Sequence, residues 1–150
     1  MADFNAEEWA AVTAAPALAA TAVAAADRGG TLREGLSMAR TYQEARQSEH
    51  SELLEAILKS PPGASAAQRT TPEELRRSAV DAVRRASDLL RDKASDRELR
   101  EFGDFVIAVC DAVARAHKEG SVLGFGGKEI SDNEQDVLDE VATALGPRPD

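Results

Sequence analysis

The chain is poor in the residues from which most active sites and most sheets are built. It has one cysteine, Cys110, and two histidines, His50 and His117. A single cysteine excludes an intrachain disulfide and any Cys-based zinc knuckle. Neither histidine stands in an HExxH or Cys–His spacing, so neither a zinc protease nor a nucleophile–base pair is spelled out. Aromatic residues make up only 4% of the chain, while the 43% hydrophobic share is supplied largely by alanine. A core of Ala, Leu and Val suits closely approaching helices. A sheet favours β-branched and aromatic residues instead. No run alternates in the manner of a strand; at most Val122–Leu123 and Glu129–Ile130 pair briefly across a Gly-rich loop. Basic residues are in the minority, with 18 Lys and Arg against 27 Asp and Glu and a net charge of −9. That balance argues against general binding to nucleic acid or to an anionic membrane, and it suits a protein that attracts cations or basic partners.

The longest apolar run, from Ala10 to Ala26, is mostly alanine and is interrupted by Pro16. It follows "MADFNAEEW", which is acidic where a secretory signal needs basic residues. The expectation is a cytoplasmic protein without a membrane span.

What the chain does have is helix punctuation. Five times a capping residue is followed three positions later by glutamate: Asn5–Glu8, Thr31–Glu34, Thr71–Glu74, Ser95–Glu98 and Ser131–Glu134. In such a box the cap side chain accepts from an orphan amide of the first turn, and the glutamate reaches back to the cap amide. Pro72 at the first helical position strengthens the third box. Stops stand at Gly29–Gly30, in "SPPGAS" from Ser60, at Gly120 and at Gly146–Pro147. Pro16 is expected to split the first segment. The predicted helices are 6–14, 16–27, 31–46, 49–59, 72–93, 96–118 and 132–145. The expected fold is all-α: a single-domain compact bundle of six to seven helices spanning 1–150, with a flexible polar loop at about 60–70.

Periodicity orients the two longest helices. Leu99, Phe102, Val106, Val109 and Val113 recur at spacings of three and four, and Phe105, Ile107 and Cys110 widen that face, so this helix is expected to lie centrally. In the helix from Pro72, the stripe is Leu75, Ala79, Val83, Ala86, Leu89 and Leu90. Opposite it, Arg77, Arg84 and Arg91 interleave with Asp81, Asp88 and Asp92. That charged side reads as a solvated, self-paired face or as a partner-binding stripe.

Two joints repeat one pattern. "AAADRGGTLRE" at 24–34 runs from an Ala-rich helix end through glycines to a Thr cap and its glutamate. "ARAHKEG" to "EISDNE" does the same with a Ser cap, interrupted by the insertion "SVLGFGGK". The repetition suggests an internal duplication of helical hairpins. In these joints the chain resembles the TerB-like tellurite-resistance family, whose joint runs Ala-Asp-Gly, a hydrophobic residue, a Ser or Thr cap, two variable positions and Glu. Asp27, Gly29 or Gly30, Thr31 and Glu34 match loosely, since Leu32 follows the cap. Gly120, Ile130, Ser131 and Glu134 match better, although Lys118–Glu119 stands where Asp is expected. The resemblance implies a compact helical bundle that binds divalent metal ions on an acidic surface in stress response or sensing, without enzymatic activity.

Two site hypotheses follow, each beside a plainer reading. Glu129, Asp132, Glu134 and Asp136 cluster at the second joint, with Asp27 and Glu34 at the first, and hard cations such as Ca²⁺ prefer clustered carboxylates. Alternatively these acids only complement a helix dipole, for about 0.3–1 kcal/mol each. In the insertion, Leu123 and Phe125 either plug the end of the bundle or form a docking surface for a protein partner. The glycines there do not keep Walker spacing. Cys110 reads as a packing residue and no catalytic group is expected. The chain thus reads as a binding protein, either of a divalent cation or, without metal, of a protein partner that includes a second copy of itself.

Overall fold

The computed structural model of the protein describes residues 3–26, 32–60, 71–119 and 131–147, with the side chains of 32–34 and 117–119 left aside. These residues form six helices: α1 (Ala6–Ala26), α2 (Leu32–Gln47), α3 (Glu52–Lys59), α4 (Pro72–Lys93), α5 (Asp96–Glu119) and α6 (Asp132–Leu145). No strand occurs among the described residues. The fold is all-α, as the composition implies. The loop expected at 60–70, the pairing expected at Val122–Leu123 with Glu129–Ile130, and the joint at 27–31 lie outside the described residues.

The helix starts follow the boxes. Glu8 N–H donates to Asn5 Oδ1 at 2.9 Å, and Asn5 N–H donates to Glu8 Oε2 at 3.0 Å. The same exchange closes Thr71–Glu74, Ser95–Glu98 and Ser131–Glu134. Each box settles two amides that would otherwise lack a partner at the exposed start of a helix.

One expectation is corrected. Pro16 does not divide the first segment: α1 is continuous through it. A proline inside a helix deletes its own amide bond and crowds the preceding turn, at about 3 kcal/mol. Here the flanking residues are alanines and Pro16 is itself buried, with Val12, Ala15, Ala19 and Val23 fully enclosed on the same helix. The packing of α1 on α4 and α5 outweighs the lost bond. By length and composition α1 is also the described helix that is able to cross a membrane, and in this fold its apolar face is turned into the bundle.

The core is built around α5, which touches every other helix. Its predicted face, Leu99, Phe102, Val106, Val109 and Val113, is buried throughout, together with Phe105 and Cys110. On α4, Leu75, Ala79, Val83, Ala86 and Leu90 are buried as the stripe predicts; Leu89 is only half-buried and Ser87 takes a core position instead. Tyr42 of α2 meets Phe105 edge-on, with ring centroids 4.9 Å apart.

Helix ends without a local partner borrow one from elsewhere. The helix expected at 49–59 begins only at Glu52, with Ser51 as its cap. Its third helical residue is Leu54 rather than a glutamate, so Glu101 of α5 accepts from the Ser51 amide at 2.7 Å. At the other end Arg46 of α2 donates Nε and Nη2 to the Leu58 carbonyl, at 3.1 and 2.6 Å. A helix of eight residues is too short to persist alone. It holds here because both ends are closed by its neighbours and Leu53, Leu54, Ile57 and Leu58 are buried.

Candidate functional site

The acidic joint comes first because the sequence points there. Of its six carboxylates, Asp132, Glu134 and Asp136 fall among the residues whose side chains are described. Asp27 and Glu129 lie outside them, as does the side chain of Glu34; Leu123 and Phe125 lie outside as well. Glu134 is buried, and its Oε2 accepts from the Ser131 amide at 3.2 Å while its own amide donates to Ser131 Oγ at 3.1 Å. Asp132 and Asp136 are exposed one turn apart. Glu134 thus closes the cap, while Asp132 and Asp136 are open to solvent. Among the described residues no group of three or more His, Cys, Asp or Glu is arranged to hold a metal ion.

A concavity lies elsewhere, between α4 and α6. It is a groove of about 550 Å³, within the range of ordinary ligand and peptide sites. Its α4 wall carries Arg76, Arg77, Asp81 and Arg84 around the half-buried Val80, and its α6 wall carries Asp139, Glu140 and Thr143. Arg76 donates Nε and Nη2 to the two oxygens of Glu140 at 2.8 and 2.9 Å, a fork-on-fork pair that bridges the walls. The Arg76 guanidinium holds the Glu140 carboxyl below the usual carboxylate range. Arg84 pairs within its own helix with Asp81 at 3.3 Å. Arg77, exposed on the same wall, makes no ion pair among the described residues.

Arg91, one heptad beyond Arg84, departs from the picture of a purely solvated stripe. Besides Asp88 at 3.1 Å it donates to the Leu145 carbonyl at the end of α6. Helix α6 has no basic residue in its last turn, so Arg91 brings positive charge to the end where the dipole is negative. The spacing of Arg77, Arg84 and Arg91 is visible in sequence. That one of them reaches a carbonyl 54 residues away is not.

A second concavity, of about 370 Å³, lies between α2 and α5 and includes Leu36, Arg40, Glu44 and Arg115. Leu36 is 59% exposed and is the exposed large hydrophobic side chain among the described residues. Ser37 fixes the groove floor by donating Oγ–H to the Ala112 carbonyl at 2.9 Å.

The titratable groups of the core are set up for packing. Burial, and secondarily the Asp111 charge, pushes the Cys110 thiol up to about 12, so it stays protonated and is a poor nucleophile. Burial likewise raises the Tyr42 phenol to about 12. The His50 ring nitrogen Nδ1 meets the Ser48 carbonyl. The His117 side chain lies outside the described residues.

Compared with protein-family models, with curated proteins and with solved structures, the chain matches none. The resemblance to TerB-like proteins therefore rests on the joint motifs.

Proposed function

We propose that the chain is a non-enzymatic binding protein of reducing, cytoplasmic surroundings, whose recognition surface is the α4–α6 groove and whose occupant is an amphipathic helix of mixed charge. The observation that carries this reading is Arg77. It stands in this groove without an ion pair among the described residues, beside a half-buried valine, while Arg76 and Arg84 on the same wall are paired. Grooves between two helices bind a third by its apolar stripe, with flanking charges setting register. An occupant that fits this groove places an apolar residue on Val80, glutamates one heptad apart opposite Arg77 and Arg84, and a lysine opposite Asp139. The protonated, enclosed Cys110 agrees with a role other than catalysis.

The test is a titration of isotope-labelled protein with a synthetic helix of that pattern. The expected amide shifts cluster on α4 and α6 and vanish in Arg77→Glu/Arg84→Glu, whose melting temperature stays near that of the parent. Shifts that fall elsewhere, that persist in the variant, or that are matched by self-association of the unliganded protein overturn the assignment.

A second reading is favoured by the charge of α6, which carries five acids and no base, with Asp132 and Asp136 exposed one turn apart. In this reading the acidic joint binds a divalent cation, such as Ca²⁺, in the stress-response role that the TerB-like resemblance implies.

A further inference from the structure

The start of α1 is tied to the end of α4 by a concentration of contacts on one lysine. Lys93 Nζ lies 2.6 Å from Glu8 Oε2, donates to the Asp3 carbonyl at 3.1 Å, and sits 5.7 Å from the centre of the Phe4 ring. The last distance is within the range of a cation–π contact. Phe4 in turn leans on Trp9, with centroids 6.1 Å apart, and both rings pack on the core without being fully enclosed. Two turns further back along α4, Arg85 pairs with Glu7 at 2.9 Å.

Glu8 Oε2 serves two purposes. It is the same oxygen that accepts from the Asn5 amide and closes the capping box of α1. The cap that sets where α1 begins and the ion pair that holds residues 3–5 against α4 therefore share one acceptor. A cation that leaves this oxygen also leaves the Asp3 carbonyl and the Phe4 ring. One amine therefore carries all three contacts between α4 and the start of the chain's first helix.

We infer that residues 3–5 form a charge-operated strap: closed while Lys93 is positively charged, and open, with Phe4 and Trp9 uncovered, when that charge is removed. Open, the strap exposes two neighbouring aromatic rings at one end of the bundle, a patch of the kind that marks partner surfaces. Acylation of the Lys93 amine by an acyl donor, which forms an amide and releases the donor's leaving group and a proton, removes that charge and switches the strap.

Trp9 is the sole tryptophan of the chain and lies against Phe4, so its emission reports on this end of the bundle. The experiment compares emission maximum, acrylamide quenching and amide exchange over residues 3–9 in the parent, Lys93→Gln, Lys93→Arg and Glu8→Gln, with far-UV circular dichroism checking the bundle. The expected result is a red shift with increased quenching and faster exchange in Lys93→Gln and Glu8→Gln, and parent-like values in Lys93→Arg. Glu8→Gln keeps the test decisive if Lys93→Gln fails to fold, because it removes the ion pair and leaves an acceptor for the Asn5 amide. Unchanged Trp9 emission in Lys93→Gln or Glu8→Gln, or equal shifts in Lys93→Gln and Lys93→Arg, overturns the inference.

Discussion

Arg76 on α4 and Glu140 on α6 face each other through two parallel hydrogen bonds of 2.8 and 2.9 Å across the α4–α6 groove. The pair links the two walls, and it makes the groove responsive to pH. The folded-state pKa of Glu140 is lowered, chiefly by its hydrogen bonds from Arg76. A carboxyl depressed on folding adds stability above its unfolded value, near 4.5, and that stability is lost as pH falls through the folded value. Both side chains are 36% or more in water, so screening limits the pair to at most about 1 kcal/mol. Urea midpoints of the parent and Glu140→Gln should therefore differ at pH 7 and converge on acidification. A gap that stays constant from pH 7 to pH 3 would assign the loss to packing.

The end of α6 gives a second prediction. Gly146 has φ 70° and ψ −171°, a region that residues with a side chain avoid, and a Cβ there would run into the Arg91 guanidinium. Gly146→Ala should cost about 1–3 kcal/mol for backbone strain, and part of the loss comes from displacing Arg91 from the Leu145 carbonyl. That part should disappear when the substitution is made in an Arg91→Met background. Strictly additive losses in the double-mutant cycle would show that the two residues act independently.

These particulars show what could be read in advance. The boxes of α1, α4, α5 and α6 were legible because donor and acceptor are three residues apart, so sequence and contact coincide. The faces of α4 and α5 were legible because helical period turns spacing into orientation. The closures of α3 and α6 were not: Glu101 reaches Ser51 across 50 positions and Arg91 reaches Leu145 across 54. Such partners are specified only once the helices have packed. Pro16 misled for the same reason, since a local penalty was outweighed by burial. The α4–α6 groove was half visible, as an arginine heptad without the wall that faces it. At the acidic joint the sequence offers Glu134 both as a candidate ligand and as a cap, and the capping contacts are present.

Among the described residues two buried hydroxyls lack a hydrogen-bond partner: Tyr42 Oη, between α2 and α5, and Ser87 Oγ on α4. Each keeps the desolvation cost of a polar atom without the return of a bond, a cost of about 1–3 kcal/mol. Tyr42→Phe and Ser87→Ala should therefore leave thermal stability unchanged or raise it, which runs against the usual sign for core substitutions. A fall in melting temperature for Tyr42→Phe would mean that the phenol has a water partner.

Ser131→Ala separates capping from ligation at the start of α6. The substitution removes the acceptor for the Glu134 amide and should cost about 1 kcal/mol. Under capping alone, chemical denaturation should give the same loss with Ca²⁺ or Mn²⁺ present as with a chelator. A loss that grows in the presence of metal would tie the cap to a cation.

The cation reading itself turns on Asp132 and Asp136, and the choice of these two follows from the structure. Replacing Glu134 would break the capping box and destabilise α6 whether or not metal binds. Asp132→Asn with Asp136→Asn removes exposed charge and leaves the Ser131–Glu134 exchange in place. A ligand that binds only the folded state stabilises it by RT ln(1 + [L]/Kd), about 2.7 kcal/mol at a hundredfold excess over Kd. If the acidic joint holds a cation, the parent should gain stability with Ca²⁺ or Mn²⁺ beyond a control of matched ionic strength, and the double variant should lose that gain. Carboxylates that only complement the helix dipole respond to any salt alike, because their contribution is screened rather than saturated. Equal responses of parent and variant to CaCl₂ and to NaCl would dismiss the cation.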